Sequence, residues 1–175
     1  YNMLFSNLAG KNGNDSTFGA GKLSAKNTSG VVEYGANTIV IGGEADGTSC
    51  GYRGPAADDT KGILVGSGTD AESFEDYFLQ TQIEEGTGAG QLNHILSEEH
   101  STSYADTTLT NTLIRYFNNN SGGSIDVNEV ALVWYTTVPE AGNYLASRDK
   151  LGSTITVPNT GQLKVTYTVQ LTYPA

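Results

Sequence analysis

The residues of this chain best suited to chemistry are its acidic side chains. They form one cluster and two adjacent pairs: Asp70, Glu72, Glu75 and Asp76, then Glu84 with Glu85, then Glu98 with Glu99. A glycosidase needs two carboxyl groups that face each other across a cleft, one of them with a raised pKa. Acids adjacent in sequence do not provide this arrangement, because neighbouring side chains of a strand point to opposite faces. We therefore expect a solvated acidic surface rather than a catalytic pair.

Metal ligation is the second chemistry to consider. Oxygen ligands suited to calcium occur in two short groups: Asp126, Asn128 and Glu129, and Asn12, Asn14 and Asp15. Neither group has the spacing of an EF-hand loop. His94 and His100 are the only histidines and fit no helical metal motif, although on one strand they would share a face and could form a two-histidine site. We expect both to be ordinary histidines, and we expect no metal site.

Nucleophilic catalysis has little support either. Cys50 is the only cysteine, which excludes an internal disulfide and a cysteine-based zinc site. No serine lies in a nucleophile elbow, and the glycine-rich segment 86–90 lacks the Lys-Ser/Thr pair of a phosphate loop. We expect Cys50 to be a small residue in a glycine-rich loop, with an intermolecular bridge as the alternative. The protein is predicted not to be an enzyme and to bind no cofactor.

Composition narrows the choice of partners. The chain has 175 residues, of which 37% are hydrophobic and 16% charged, and its net charge is −10. Nucleic-acid binding needs clusters of Lys and Arg, and membrane association needs a basic amphipathic stretch or an apolar run of about 18 residues. We therefore expect contact with neither. The length suits one domain with a core, or one domain with an added arm.

The elements that would position any site are strands. From Leu163 to Tyr173 apolar and polar residues alternate, which is the period of a strand with one buried face. The segments 107–117 and 125–135 are rich in strand-forming residues. The Asn- and Gly-rich loop 118–123 between them predicts that these two strands pair as a hairpin.

Shorter elements complete the pattern. Further strands are predicted at 31–41, 62–66, 92–97, 144–148 and 155–158, and one or two helical turns at most within 69–79. Roughly seven to nine strands separated by turn residues are typical of a sandwich. The sequence therefore predicts an all-β fold, an antiparallel β-sandwich of jelly-roll-like form.

Residues 1–30 differ from the rest of the chain. They are rich in Gly, Asn and Ser, with too few apolar residues to form a core. We predict an extended N-terminal arm over 1–30 and a β-sandwich domain over 31–175, with the arm packing mainly against another chain. The apolar residues of the arm are candidate subunit contacts: Leu4, Phe5, Leu8 and Phe18.

Two adjacent aromatic residues lie on the predicted strand 125–135. Trp134 and Tyr135 must point to opposite faces of a strand. We expect Trp134 to pack in the core and Tyr135 to face outward, available to a protein partner or a glycan.

Charged residues also interrupt apolar strand segments. Glu129 and Arg148 are flanked by apolar residues, where an unpaired charge is costly. We therefore expect Glu129 and Arg148 to lie near one another and to fix the register of their strands.

Six short segments follow one another along the chain in a distinctive order: GILVGSGT at 62–69, EDYFL at 75–79, GTGAGQL at 86–92, NEVAL at 128–132, LASRD at 145–149 and ITVP at 155–158. Together with the long last strand, they resemble a family of virion-associated proteins of tailed bacteriophages. The resemblance covers residues 62–173, with Ser147 inserted between Ala146 and Arg148 as a departure from the family order. The first 60 residues carry none of it.

The resemblance implies a structural component of the virion without enzymatic activity. Such a component, whether capsid decoration, fibre or tail part, assembles with copies of itself and with other virion proteins, and a host glycan is a further candidate partner. Two other functions fit the sequence. One is a secreted carbohydrate-binding module with aromatic stacking platforms, with or without calcium, and the other is an extracellular filament subunit joined by strand addition through the arm.

Overall fold

The computed structural model describes residues 24–34, 51–136 and 141–172. Within these residues the chain forms strands and no helix, and every strand pairing is antiparallel. The strands are β1 (Ser24–Lys26), β2 (Val32–Tyr34), β3 (Gly62–Gly66), β4 (Asn93–His94), β5 (Ser101–Ala105), β6 (Thr108–Asn118), β7 (Ile125–Thr136), β8 (Gly142–Val157) and β9 (Gln162–Thr172). The all-β, antiparallel prediction is confirmed for this part of the chain.

The strands form three sheets. β1 and β2 make a small hairpin. The first sheet has the order β3-β7-β8, with β7 at its centre. In the second sheet β9 pairs with the whole length of β6, while β4 and β5 pair one after the other with the opposite edge of β6. β6 is therefore the central strand of the second sheet.

The first and second sheets face each other across one hydrophobic core. Its buried residues come from strands of both sheets and from the segment between them: Ile63, Val65, Ile83, Leu92, Leu113, Phe117, Ile125, Val127, Val130, Leu132 and Val157. On the opposite face of the first sheet, Leu79 packs against Leu64 and Val133 in a smaller cluster. The first sheet is thus covered on both faces, which is why all five residues of β3 are buried. The arrangement is sandwich-like.

Strand β7 changes face in its middle. Val127 and Val130 both pack in the main core, although a regular strand would turn residues an odd number apart to opposite faces. Val127 pairs with Ile155 and Glu129 with Lys150, so a step of two residues on β7 matches five residues on β8. β8 therefore carries three extra residues at this point, an extended bulge.

This bulge overturns one sequence prediction. The alternation of apolar and polar residues is broken between 149 and 154, and the pattern therefore indicated two short strands, at 144–148 and 155–158. The structure has a single strand instead, β8, of 16 residues. A second register shift lies between Leu132 and Val133 of β7.

The predicted hairpin between the two long central strands is wrong. β6 belongs to the second sheet and β7 to the first, so the segment 119–124 crosses between sheets. Asn119, which is fully buried, holds this crossing: its Nδ2 donates to the carbonyl oxygens of Gly123 and Val157, both at 2.8 Å. Asn- and Gly-rich loops signal that the chain turns, but they do not specify which sheet the next strand joins.

The expected helical turns within 69–79 are also absent. The segment forms a tight non-helical turn instead, in which Asp76 N donates to Ser73 O at 3.1 Å. In the same turn Ser73 N donates to the Asp76 carboxylate at 2.9 Å. A side chain that bonds to the backbone in this way competes with helix formation.

The expected boundary between arm and domain, at residue 30, falls inside the β1–β2 hairpin. Thr28 N donates to Asn143 O of β8 at 3.0 Å, and Lys26 Nζ lies 4.4 Å from the centre of the Tyr77 ring. The rest of the expected arm lies outside the described residues, as do most of the predicted strand 31–41 and the single cysteine. The candidate contacts in that part of the chain are Leu4, Phe5, Leu8 and Phe18, and the candidate calcium ligands are Asn12, Asn14 and Asp15.

A buried arginine connects the two large sheets. Arg115 lies on β6 between the core residues Leu113 and Phe117 and is 0% exposed. Its five N–H groups donate to main-chain carbonyl oxygens: Nε to Ile95 at 3.0 Å, Nη1 to Lys61 and Ile63 at 3.0 Å each, and Nη2 to Pro55 at 2.7 Å and Asp58 at 2.6 Å. Because Ile63 lies on β3, the guanidinium binds the edge of the opposite sheet.

Close packing at Gly54 restricts the position of the Arg115 guanidinium, and the surrounding groups decide its pKa. A Cβ added at Gly54 would lie 2.6 Å from Arg115 Nη1 and 2.8 Å from Lys61 O, so this position has no room for a side chain. Burial lowers the pKa of Arg115 to about 10, against the opposing effect of Asp58 and other nearby acids. The side chain therefore keeps its charge and all five donors at neutral pH.

Replacing Arg115 should destabilise the fold more than replacing a surface cation. Arg115→Lys is expected to lower the free energy of unfolding by about 2–4 kcal/mol, because an ammonium group has three donors and leaves buried carbonyls without partners. Arg115→Met should cost more, since it removes every donor. Urea denaturation followed by circular dichroism measures both.

Lys164→Met is the matched control, since Lys164 is an exposed cation on the neighbouring strand β9. It should change the free energy of unfolding by less than about 0.5 kcal/mol. An Arg115→Lys variant as stable as the original protein would contradict the role given to the guanidinium.

Candidate interaction surface

The second sheet extends beyond the area that the first sheet covers. Leu109 of β6 points to the same face as the buried Leu113, because residues an even number apart on a strand share a face. Leu109 pairs with Leu171 of β9 and Tyr104 of β5, so the three side chains form one row across the sheet. Yet Leu109 is 40% exposed, Leu171 55% and Tyr104 67%.

The adjacent row is also open to solvent. Val169 of β9 pairs with Asn111 of β6 and is 51% exposed. We call the four apolar side chains of these two rows the uncovered face: Tyr104, Leu109, Val169 and Leu171. They lie on the side of the second sheet that forms the core further along, and apolar groups exposed together in this way mark contact sites.

A buried carboxylate organises the loop on the far side of the first sheet. Glu129 is 0% exposed, and its Oε1 accepts hydrogen bonds from the N–H groups of Gly68 at 3.0 Å and Thr81 at 2.8 Å. Its Oε2 accepts from Gln80 N at 3.1 Å and Arg148 Nε at 2.7 Å. One side chain thus ties both ends of the segment 67–81 to β7.

Arg148 extends this cluster to the acidic segment. Its Nη1 donates to the Asp76 carboxylate at 2.8 Å and to Ala71 O at 3.3 Å, and its Nη2 donates to Asp70 O at 3.0 Å. Asp76 is therefore an ion-pair partner, which corrects the expectation that all these acids face solvent. The Glu129–Arg148 contact lies next to the register shift of β7, as a diagonal pair across β7 and β8.

Two glycines leave room for the Glu129 carboxylate. A Cβ added at Gly66 would lie 2.5 Å from Glu129 Oε1, and one at Gly68 closer still. Burial by itself raises the pKa of Glu129, but the hydrogen bonds from Thr81 N, from Arg148 and from Gln80 N outweigh it, and the pKa lies below its usual value. Glu129 is therefore a carboxylate at neutral pH.

This cluster explains why four of the six sequence segments occur together. GILVGSGT at 62–69 supplies the two glycines, EDYFL at 75–79 supplies Asp76, NEVAL at 128–132 supplies Glu129 and LASRD at 145–149 supplies Arg148. Residues far apart in the chain thus serve one buried set of charges. The four segments therefore share one structural requirement, the hydrogen bonding of the buried Glu129 carboxylate.

The GTGAGQL segment forms a tight loop before β4. Gly88 N donates to Gln91 Oε1 at 2.9 Å, and Gly86 N donates to Leu92 O at 3.1 Å. Gly86 has a φ of 148° and a Cβ there would overlap the Gln91 side chain, so a glycine is required. The loop closes on itself and is a turn.

The candidate metal ligands are engaged elsewhere. Asp126 accepts a hydrogen bond from Thr156 Oγ1 at 2.6 Å, and Asn128 accepts one from Thr154 Oγ1 at 2.6 Å. Glu129 points to the loop 67–81, so the three side chains do not converge. Within the described residues no group of three or more His, Cys, Asp or Glu side chains could hold a metal ion.

The two histidines do not share a strand. His94 ends β4, and the residues from 95 to 100 are not part of a strand. The His94 ring is fully buried, edge-on to the Phe117 ring at 4.9 Å between centres, with Nδ1 3.3 Å from Asp58 O. Its Nε2 is buried without a hydrogen-bond partner. The strand geometry needed for a two-histidine site is therefore missing.

The adjacent aromatic residues on β7 have different surroundings. Trp134 is 5% exposed and lies 6.3 Å from the Tyr52 ring and 6.2 Å from the Tyr144 ring, in the core as expected. Tyr135 is half-buried; its main chain pairs with Gly51, and Lys61 Nζ lies 5.6 Å from its ring centre.

The sequence patterns considered above did not identify Arg115 as an important residue. The available signal was an arginine at an inward position of a strand, between the apolar residues Leu113 and Phe117.

Comparison of the chain with protein-family models, with curated proteins and with solved structures gave no match. The class that the structure itself defines is an all-β, sandwich-like protein with an uncovered apolar face. The likeness to phage virion proteins stays a prediction from the sequence. In the part of the chain that the structure describes, no helix is long and apolar enough to cross a membrane.

A double-mutant cycle tests whether Glu129 and Arg148 act together. Glu129→Gln and Arg148→Met should each lower the free energy of unfolding by about 3 kcal/mol, because each leaves a buried partner uncompensated. Their coupling energy should be about 1–3 kcal/mol in urea denaturation. The exposed pair Asp126 and Thr156, on the same two strands, is the control and should couple by less than about 1 kcal/mol. Absence of coupling at Glu129 and Arg148 would refute their joint role in the register.

His94 should make the fold sensitive to mild acid. Burial, and next the positive charge of Arg115, lower the pKa of His94, whereas a histidine in the unfolded chain titrates near about 6.5. The unfolded chain therefore binds more protons, and the free energy of unfolding should fall as pH decreases from about 7.5 to about 5.5.

The slope of this fall can reach about 1.4 kcal/mol per pH unit, and His94→Gln should flatten it. Urea midpoints measured across this range at constant ionic strength give both slopes. Equal slopes in the two proteins would show that His94 is not the titrating group.

Proposed function

We propose that this protein is a non-enzymatic structural subunit that assembles with copies of itself, as a component of a tailed-phage virion. The observation that carries the proposal is the uncovered face, four apolar side chains that are 40–67% exposed on the inner side of the second sheet. In a subunit of an assembly, such a face is buried against a neighbour.

The internal charges support a scaffold role. Arg115 and Glu129 are fully buried, and both use their hydrogen bonds to hold main-chain segments in place. A body braced in this way presents its loops and edges rigidly, as a shell or tube component requires. The jelly-roll-like form of the sandwich is part of this proposal, and two antiparallel sheets that share one core support it.

The charge of the chain also favours apolar contacts. With a net charge of −10, two copies repel each other over most of their surfaces. A contact between copies is then most favourable where apolar area is concentrated and carboxylates are few. The uncovered face consists of three aliphatic side chains and one tyrosine and has this character.

The sequence segments that resemble those of phage virion proteins give the proposal its location. They carry the resemblance to that family, and four of them build the buried cluster around Glu129. A neighbouring capsid or tail protein is a second partner for the same face. Electron microscopy of native material should therefore show particles or tail structures, and isolated monomers would argue for a carbohydrate-binding module instead.

Self-assembly through the uncovered face is tested with the full chain. Leu109→Thr with Leu171→Thr keeps strand-forming residues but removes two apolar side chains, and should raise the dissociation constant for self-association about tenfold or more. Sedimentation velocity over a concentration series measures this constant.

Phe74→Ser is the matched control. Phe74 is 80% exposed but lies with Arg148 and Leu145 on the far side of the first sheet, so its replacement should leave self-association unchanged. A full chain that stays monomeric at high concentration would contradict the proposal. So would a double variant that associates as well as the original protein.

A further inference from the structure

A groove opens between strands β8 and β9, where the edges of the two large sheets meet. It has a volume of about 400 Å³. Its apolar lining comes from both sheets: Val127, Val130, Leu151 and Ile155 from the first, and Leu163, Val165 and Tyr167 from the second. The bulge of β8 contributes to it, because Leu151 and Ile155 flank the extra residues.

The main chain along this groove has free hydrogen-bonding capacity. β8 pairs with β7 on one side and β9 with β6 on one side, and no other described strand pairs with their outer edges. Two main-chain groups of β8 bond to loops: Lys150 N donates to Glu72 Oε1 at 2.7 Å, and Asn143 O accepts from Thr28 N at 3.0 Å. The edge of β3 is different: Arg115 binds the carbonyls of Lys61 and Ile63, and Ile83 N donates to Val65 O at 3.0 Å. Unpaired strand edges beside an apolar groove form a template for an added strand.

The groove continues into the uncovered face. The inward residues of β9 run from Leu163 through Val165 and Tyr167 in the groove to Val169 and Leu171 beyond it. Alternate residues of a strand lie about 6.6 Å apart, so these five residues form one stripe of about 26 Å. An extended segment laid along β9 would contact both surfaces.

We propose that this groove binds residues 1–23 of a second copy of the chain as an added, extended segment. The inference rests on the proposed function and names the contact that joins the subunits. It requires a narrow, extended occupant with apolar side chains and main-chain donors and acceptors. A folded surface is too broad to enter a groove bordered by two strand edges.

Charge favours this segment over other parts of the chain. Residues 1–23 carry two lysines and one aspartate, whereas the whole chain has a net charge of −10. The segment is therefore attracted to the acidic body of another copy, while the bodies repel each other. Its apolar residues Leu4, Phe5 and Leu8 are close together in the sequence and match the apolar lining of the groove.

The reach of the segment is sufficient. Twenty-three extended residues span up to about 76 Å, and the eleven residues of β9 about 36 Å. Residues 1–23 precede β1, which is followed by a turn whose Thr28 N bonds to Asn143 at the start of β8. A segment leaving this end of the first sheet can cross to a neighbouring copy and still line its groove.

Site-specific photo-crosslinking of the full chain tests the inference. Ile155, which is 42% exposed and lines the groove, is replaced by benzoylphenylalanine, and the protein is mixed with an equal amount of ¹⁵N-labelled chain before irradiation. Mass spectrometry should identify cross-links to peptides within residues 1–23, with mixed-isotope pairs showing that they join two copies. A second probe at the half-buried Tyr167, on the other wall, should capture the same segment.

The same probe at Phe74 is the control and should not capture residues 1–23. Cross-links from positions 155 and 167 to other parts of the chain would overturn the inference. Cross-links to residues 1–23 with no mixed-isotope pairs at all would overturn the assignment to a second copy. Sedimentation of the same samples separates the two proposals. A monomeric chain refutes the proposed function, whereas an associating chain with cross-links elsewhere refutes only the role of the groove.

Discussion

The fold depends on the hydrogen bonds that the buried guanidinium of Arg115 makes to main-chain carbonyl oxygens. Arg115 is enclosed between the sheets, and each of its five donors meets a main-chain carbonyl, with no carboxylate among them. Burial of an unpaired charge is costly, so the oxygens must be in place when the sheets close. The segment 55–63 must therefore follow one path, and the second sheet must meet the first at the edge of β3. The extension of the second sheet past the core follows from that fixed meeting point.

Buried charged side chains lie against both faces of the first sheet. Arg115 serves the face that meets the second sheet, and Glu129 with Arg148 serves the face covered by the loop 67–81. Both arrangements use charged side chains to fix irregular backbone, which has no periodic hydrogen bonding of its own. Loops that would be mobile on a typical sandwich are thereby attached at defined points.

The sequence is sufficient for features that depend on local alternation. The bounds of β3, β6, β7 and β9 are close to those predicted, because each has a clear pattern of buried positions. Pairing partners cannot be predicted from local alternation, because the loop 118–123 fits a hairpin as well as a crossing between two sheets. Only the shared core determines that the chain crosses. The proximity of Glu129 and Arg148 follows from the cost of burying charge. The role of Arg115 could not be predicted from the sequence, because its partners are main-chain carbonyl oxygens, which residues of every type carry.

The pairing of β6 with β9 has a consequence for how the chain is made. The two strands are matched over eleven residue pairs, and the paired positions are 44 to 64 residues apart. During synthesis, β6 leaves the ribosome with one entire edge unsatisfied and waits until residues 162–172 emerge. At rates of about 5–20 residues per second, this interval lasts roughly 2–13 seconds. Over that time an apolar central strand is open to off-pathway pairing, and this dependence on non-local contacts favours slow folding.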